Sequence, residues 1–547
     1  MADSSYDAVF IGGGHNALVT ALYLARNNMK VAVFDRRNEI GGEFCSDELP
    51  APGFLMNTCA TFIRFFVCPA LYDFKLREHG LELVMPEPSQ SMLFDDGSGM
   101  VIWGARKVDP ETGKVTFVEE NFHKNLKAIA QFSEKDAETC EKWAARPGRG
   151  FGENVEEWLY NPPTAPGSRS IEDEILATGA IDPRWPYMTI GEVAYDLFES
   201  DAMRVYFMRL AQGHAGSYPH IVQGLMSTLH QVGSMAGGLP ISIAVGGTHT
   251  IAHALQRALS SLGGKFFVNA EVDKIVVENG RAKGIILADG SRIEAKQLVV
   301  NGADPRQLAF RFLDPSLTSN DVKRRLKNLW GDNFGLIWAT FALHELPKYT
   351  AEKDFPGCMT QRCYLAPLDP DYLRFGKLGD CHRNGLPSRF FHHLTHDTAF
   401  VPSYAPPGKH LCLLEDYTTE DRFFTKAEWE GIRKRTAKAL LDDWRRYAPN
   451  MTEDNVIDSF VLLGPDLLER FTWDTWSGYG HSAPQMGSFR PIPEWSGYRT
   501  HIKNLYGCAQ SQHPGGSSWG LPGYNCYKAI AADLSLEKVW ETAGRRY

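Results

Sequence analysis

The sequence predicts an α/β fold, and three observations from its two ends predict it. Asp7-Ala-Val-Phe-Ile11 is a short continuous apolar run that breaks at Gly12-Gly13-Gly14. It resumes at Ala17, Leu18, Ala21, Leu22 and Ala25 with helical spacing. A second apolar run, Val31-Ala-Val-Phe34, follows Arg26-Asn27-Asn28 and closes a strand, helix, strand unit the size of one parallel crossover. Near the far end, Asn504-Leu-Tyr-Gly-Cys508, a glycine-rich turn and Tyr527-Lys-Ala-Ile-Ala-Ala-Asp-Leu534 repeat the same logic.

Between the ends the elements follow in order. From about 43 to 240 the pattern is mixed, with an aromatic stretch at Thr61-Phe-Ile-Arg-Phe-Phe-Val67 and a Pro/Gly-rich insert from Arg146 to Arg169 that interrupts helical periodicity. This region is expected to form a helical, substrate-facing layer with long loops. Val272-Asp-Lys-Ile-Val-Val277, Gly284-Ile-Ile-Leu287, the turn Asp289-Gly290 and Leu298-Val-Val-Asn301 predict a small meander returning to the main sheet. Leu336-Ile-Trp-Ala-Thr-Phe-Ala342 and His410-Leu-Cys-Leu-Leu414 read as strands of a second, mixed domain, and Lys426 to Tyr447 as a helix.

Composition narrows the function. A chain of 547 residues, 43% hydrophobic and 22% charged, has the makeup of an ordinary globular protein of about three or four structural units. Its net charge of −9 lacks the positive field that draws proteins onto phosphate backbones, so nucleic acid is not an expected partner. No apolar run approaches the ~18 to 20 residues needed to cross a bilayer, and a strand beginning at Tyr6 leaves no room for a cleavable leader, so a cytoplasmic location is expected. The ten cysteines are scattered among apolar neighbours and read as reduced core thiols. Cys358, Cys363 and Cys381 lack the spacing of a metal site.

Gly12-x-Gly14-x-x-Ala17 follows a strand and opens a helix. The three small residues serve a tight turn, close approach to a pyrophosphate, and tight helix packing, while the helix N-terminus faces the anion. Asp35 ends the second strand about twenty residues on, where a carboxylate accepts from ribose hydroxyls. Arg36 and Arg37 beside it are compatible with a ribose 2′-phosphate, hence NADP. The pair Gly41-Gly42, however, resembles the second half of the FAD fingerprint of flavoprotein oxidases and desaturases, a resemblance that implies a Rossmann-type FAD-binding domain.

Tyr6 to Gly42 resembles the start of the phytoene desaturase-like FAD-dependent oxidoreductases, a branch of the amine-oxidase-like flavoprotein superfamily that includes carotenoid desaturases and isomerases and retinol saturases. The likeness recurs at Val245-Gly-Gly with its meander to Asn301, at Ala405-Pro-Pro-Gly-Lys-His410, at Arg490-Pro with Ser496-Gly-Tyr-Arg499, and at Asn504-Leu-Tyr with His513-Pro-Gly-Gly516. The resemblance implies a cofactor domain assembled from residues 1–90, 236–310 and 496–547, a helical region at 91–235, and a mixed α+β substrate domain at 311–495. It implies that Gly12, Gly14, His15 and Asn16 line the pyrophosphate, that Asp35 with its neighbour Arg36 stands at the adenosine ribose, and that Arg37, Gly41 and Gly42 face the flavin side. Val272 would meet the adenine through its backbone, and Gly515 and Gly516 the flavin and ribityl chain. The sequence departs from the family at Cys508-Ala509-Gln510-Ser511, where relatives carry another glycine, and at Glu43, where a small or basic residue is usual.

A flavin carries the redox step, so few catalytic side chains are required. His481 matches a histidine of the family and is a candidate proton donor or acceptor, or else a loop hydrogen-bonding residue. Glu43 is a second candidate if desolvated beside the flavin, or a solvated loop acid. Arg490 could clamp a substrate carboxylate or tie loops together. His513 is expected to tune or support the turn. His392 and His396 would form a metal pair only on a helix, and they sit in strand-like sequence. Aromatic residues at 61–74 and 473–479 would line an apolar tunnel or pack the core. No second nucleotide fingerprint is present, so electrons would come from or pass to an external donor or acceptor. The expected activity is saturation, desaturation or isomerisation of an unsaturated small molecule. The alternatives are a reduced-FAD-dependent hydratase of a small activated alkene such as a 2-haloacrylate, and a non-catalytic module on the same fold that binds a lipid or a lipidated protein.

Overall fold

The computed structural model describes residues 4–144, 152–215, 218–238, 240–331, 335–471, 479–516 and 518–542. Residues 146–151 of the Pro/Gly-rich insert and 473–478 of the second aromatic stretch lie outside the described residues.

Ser5–Ile11 is the hub of the first sheet. Its continuous apolar run is buried on both faces: Ala8 and Phe10 enter one core, Val9 and Ile11 the other. Val31–Phe34 pairs parallel on one side and Arg292–Asn301 parallel on the other. Lys265–Phe267 extends the sheet beyond Val31–Phe34, and Leu505–Gly507 extends it beyond Val299 to Asn301. The expected meander is present, with Val272–Glu278, Arg281–Leu287 and Arg292–Asn301 pairing antiparallel in sequence. Helices His15–Arg26, His249–Ser261 and Leu521–Leu534 pack along one side. The strand order places a switch point at Ser5–Ile11, and a crevice opens beyond the carboxyl ends of such strands.

A second sheet of seven strands runs in the order Val456–Leu463, Gly335–Leu343, His410–Thr418, His392–Thr395, Arg362–Ala366, Gln90–Phe94, Gly99–Ile102. Two of its strands, Gln90–Phe94 and Gly99–Ile102, come from the region expected to be helical. They are strands because Arg362–Ala366 offers Gln90–Phe94 a parallel partner that no local pattern announces. One face of this sheet is covered by the helix Lys426–Trp444, whose Trp429, Ile432, Leu440 and Trp444 pack on Ile337, Leu394 and Leu414. That helix starts at a capping box, Thr425 with Glu428, each accepting from the other's backbone N–H. The other face looks toward the residues that follow Glu43, and Trp338 Nε1 donates to the Asn57 carbonyl at 3.1 Å.

The helical layer is formed by the described helices between Glu119 and Met235, including Asp201–Ala215 and Leu225–Met235. Gly152–Tyr160 is helical although it falls in the Pro/Gly-rich insert, because Val155, Trp158 and Leu159 bury a common face. Among the described residues no helix is long and apolar enough to cross a membrane.

Candidate functional site

The crevice predicted by the strand order is a cleft lined by five distant stretches of chain, one of them running from Gly302 to Phe312. Gly12, Gly14, His15 and Asn16 form its floor; Asp35, Arg36, Arg37, Gly42 and Glu43 form one wall. Glu271 and Val272 close the end at the meander, and Ala509 and Gln510 arrive from the last strand.

The first turn is built around Asp35. Its Oδ2 accepts from the Gly13 N–H at 2.7 Å and its Oδ1 from the Arg37 N–H at 2.8 Å, so the carboxylate fastens the second strand to the glycine turn. Gly41 N–H donates to the Gly13 carbonyl at 2.8 Å, which draws the second glycine pair against the first. Arg37 Nη1 donates to the Gly42 carbonyl, whereas Arg36 is exposed and donates to the Arg470 carbonyl. His15 is buried and stacks on Phe44 with centroids 4.3 Å apart.

Two features test whether the cleft fits a dinucleotide, and both agree. Asn16 Oδ1 is buried without a hydrogen-bond partner among the described residues, a condition that costs about 1–3 kcal/mol unless a ligand or water answers it. Gly14 has φ −64° and ψ 157°, ordinary for any residue, yet a Cβ built on it meets nothing within 4 Å. The fold does not require glycine there; the open space on the cleft floor does, as for close approach of a pyrophosphate. Gly14→Ala is therefore expected to leave the apoprotein as stable or more stable, by up to about 1 kcal/mol, while abolishing FAD retention. Thermal unfolding of the apoprotein and the flavin content of the purified variant check this. Undiminished flavin content would place the pyrophosphate elsewhere.

The C-terminal turn reaches the cleft through Gln510. Its side-chain amide donates to Glu43 Oε1, so the residue that departs from the family's glycine partners the other departure. A Cβ on Gly516 would lie 2.6 Å from Gln510 Oε1. Beneath this turn Arg490 is buried and donates to the carbonyls of Gln485, Gln510, Gln512 and Tyr479. His513 Nε2 bonds the Trp158 carbonyl at 2.6 Å. His481 packs directly under Gly515, where a methyl group would collide with its Nε2. Burial, with the nearby Arg490, His230 and His513, holds His481 well below the usual imidazole range.

The structure thus gathers Gly12, Gly14, His15, Asn16, Asp35, Arg36, Arg37, Gly42, Glu43 and Val272 around one cleft, with Gly41 behind its wall. It places Gly515, Gly516, His481 and Arg490 in a second group joined to the first through Gln510. Sequence reasoning missed Gln510 itself and Arg311, which pairs with Glu271 at 2.6 Å on the cleft. Only the departure at Cys508 to Ser511 signalled Gln510, and no sequence pattern signals Arg311. His392 and His393 are successive strand residues, which turns their side chains to opposite faces. His392 pairs with Asp443, and His396 bonds Tyr349 Oη and the Thr360 carbonyl.

Burial keeps several imidazoles neutral. It lowers His15, His396 and His513 from 6.5 to about 4 and His230 to about 3, and holds His393 and His481 well below 6.5. The unfolded chain protonates these groups near 6.5 and the fold does not, so below pH 6.5 the unfolded state binds more protons. Stability is expected to fall as pH drops from 6.5 toward 4, by about 1.4 kcal/mol per pH unit for each such histidine. Thermal melts from pH 7.5 to 5 should show a fall of several degrees, and a flat profile would contradict the neutral assignments.

The sequence profile of the family described as flavin containing amine oxidoreductase matches residues 18–517. The chain is 27% identical to the mouse (Mus musculus) pyridine nucleotide-disulfide oxidoreductase domain-containing protein 2, covering 97% of this chain and 94% of that one. It is 25% identical to a limonene dehydrogenase subunit of Castellaniella defragrans, covering 98% and 96%. Among solved structures, cyclohexylamine oxidase from Brevibacterium oxydans superposes with a TM-score of 0.57 at 14% identity, covering 97% of this chain and 99% of that one, which shows a shared fold.

Proposed function

The chain belongs to the flavin containing amine oxidoreductase family and is an FAD-dependent oxidoreductase; from that premise we propose that it acts on a carbon–carbon bond of an unsaturated small molecule. The observation that carries this reading is the cleft at the strand ends, floored by Gly12, Gly14 and Asn16 and reached from the far end of the chain by Gln510. The extended likeness to a protein named as part of a limonene dehydrogenase supports an unsaturated small molecule as the substrate class.

Bound FAD supplies hydride acceptance and donation. The protein's own residues do the rest. The backbone of Gly12 to Asn16 and the start of the helix His15–Arg26 receive the pyrophosphate, and Asp35 the adenosine ribose. Val272 borders the adenine end. Arg490, its donors directed to four backbone carbonyls, holds the turn of Gly515 and Gly516 in place rather than clamping substrate. His481, packed under Gly515, is the group assigned to accept the proton that leaves the carbon next to the one losing hydride, against the burial and the Arg490 charge that disfavour its cation. Glu43, held by Gln510 at the cleft, is the second proton-handling group.

Anaerobic mixing of the FAD-loaded protein with a panel of unsaturated and saturated small molecules tests the reading. Bleaching of the oxidised flavin band near about 450 nm, with one product double bond formed per flavin reduced, is expected. Turnover that needs reduced FAD yet consumes no further reductant would instead establish hydration or isomerisation.

A further inference from the structure

On the face of the second sheet turned away from the helix Lys426–Trp444 lies a group of buried cations that the FAD cradle does not use. Arg362 is 1% exposed and Arg209 0%. Arg362 comes from the strand Arg362–Ala366, and its guanidinium lies over the rings of Phe62 at 5.2 Å and Tyr364 at 5.6 Å. Its Nε and Nη1 are buried and have no hydrogen-bond partner among the described residues. Arg209 comes from the helix Asp201–Ala215 above the sheet. Its Nε donates to the Phe391 carbonyl at 2.8 Å, and its Nη1 is buried and unpartnered.

The two guanidinium groups converge. A Cβ placed on Gly213 would lie 3.3 Å from Arg209 Nη1 and 3.7 Å from Arg362 Nη2. The neighbouring anion is Glu415, 3.8 Å from Arg209, and it already accepts from the Tyr417 hydroxyl. Asp416 is paired with the buried Lys377. Arg64, also buried, adds a further positive charge, and burial together with Arg362 lowers its pKa to about 9. Arg362 and Arg209 thus keep buried guanidinium donors unanswered beside a Glu415 carboxylate that Tyr417 already engages, and such donors are costly to bury. One turn along the helix from Arg209, both amide atoms of Gln212 are buried without partners.

The location ties the group to the flavin cradle. Cys59 lies within electrostatic reach of both Glu43 in the cleft and Glu415 in this group. Trp338, cross-strand from Glu415, bonds the Asn57 carbonyl and shares a core cluster with Cys45, two residues after Glu43. Apolar side chains share the face: Leu413 alternates with Glu415, and Met92 opposes Tyr364 in register.

We propose that Arg362 and Arg209 form the recognition site for the carboxylate of an unsaturated carboxylic acid, holding its double bond toward the Glu43 side of the flavin cradle. Two converging guanidinium forks match a carboxylate's paired oxygens, whereas a pure hydrocarbon would leave their donors unanswered. The inference rests on the functional reading above for the reaction itself, but the anion site is testable separately from it.

The test uses the full-length, FAD-loaded protein, with crotonate and its neutral isostere crotonamide as probes, read by titration calorimetry and by perturbation of the visible flavin spectrum. Crotonate is expected to bind at least about tenfold more tightly than crotonamide. Arg362→Gln is expected to remove that discrimination with flavin content unchanged, and Arg362→Lys, which keeps charge but not the fork, to restore it in part. Should Arg362→Gln fail to fold, the wild-type preference and Arg209→Lys still decide the matter. Equal affinity for the two probes, no crotonate binding at about 10 mM, or crotonate binding indifferent to these substitutions would overturn the proposal. A protein that cannot be loaded with FAD would defeat the functional reading instead, while calorimetry of crotonate against crotonamide still reads the anion site.

Discussion

Replacing Asp35 by alanine is expected to weaken FAD retention by about 10²-fold or more, the largest loss foreseen for any single side chain of the cradle. Two effects add. The carboxylate borders the cleft where ribose hydroxyls would donate to it, and hydrogen bonds to a charged acceptor are worth about 1.5–3 kcal/mol each. It also accepts from the N–H groups of Gly13 and Arg37, so its loss loosens the glycine turn that must face the pyrophosphate. Asp35→Asn keeps one carbonyl oxygen and should fall between the two. Equilibrium dialysis of FAD against each variant measures the effect, with far-ultraviolet circular dichroism to confirm that the fold persists. Alanine binding FAD as tightly as the native residue would remove Asp35 from the nucleotide site.

The second large effect concerns turnover rather than binding. His481→Ala is expected to lower the rate of flavin reduction by about 10²-fold or more, the usual contribution of a positioned acid–base group, with flavin content unchanged. The imidazole lies against Gly515, and burial and Arg490 disfavour its cation, so a proton taken there must be passed on rather than held. The substrate to use is whichever unsaturated compound bleaches the native flavin. Rates within a few-fold of native would show that His481 moves no proton, and loss of flavin together with rate would assign it to supporting the turn.

Much of this site was legible because its signals are local. Gly12, Gly14 and Asp35 sit on one strand, helix, strand unit whose apolar runs fix its geometry, and Val31–Phe34 falls on its predicted residues. The remainder depends on pairings made far along the chain. Gln90–Phe94 is a strand only because Arg362–Ala366 lies beside it. The final helix begins at Leu521, ahead of the apolar repeat from Tyr527, because Gly520 in the left-handed region and Pro522 start it within a glycine-rich stretch that reads as loop. The buried arginines were equally hidden. Arg209 and Arg362 lie on different elements, and in the sequence each looks like a solvent-facing charge until the sheet and the helix above it are assembled.

The site as described requires both ends of the chain to meet around one FAD. The decisive measurement is the amount and identity of flavin released when the purified, FAD-reconstituted protein is denatured, set against protein concentration. About one FAD per chain is expected, reduced to trace levels in Gly14→Ala. Release of no flavin from native protein after reconstitution, or equal release from Gly14→Ala, would contradict the shared cradle.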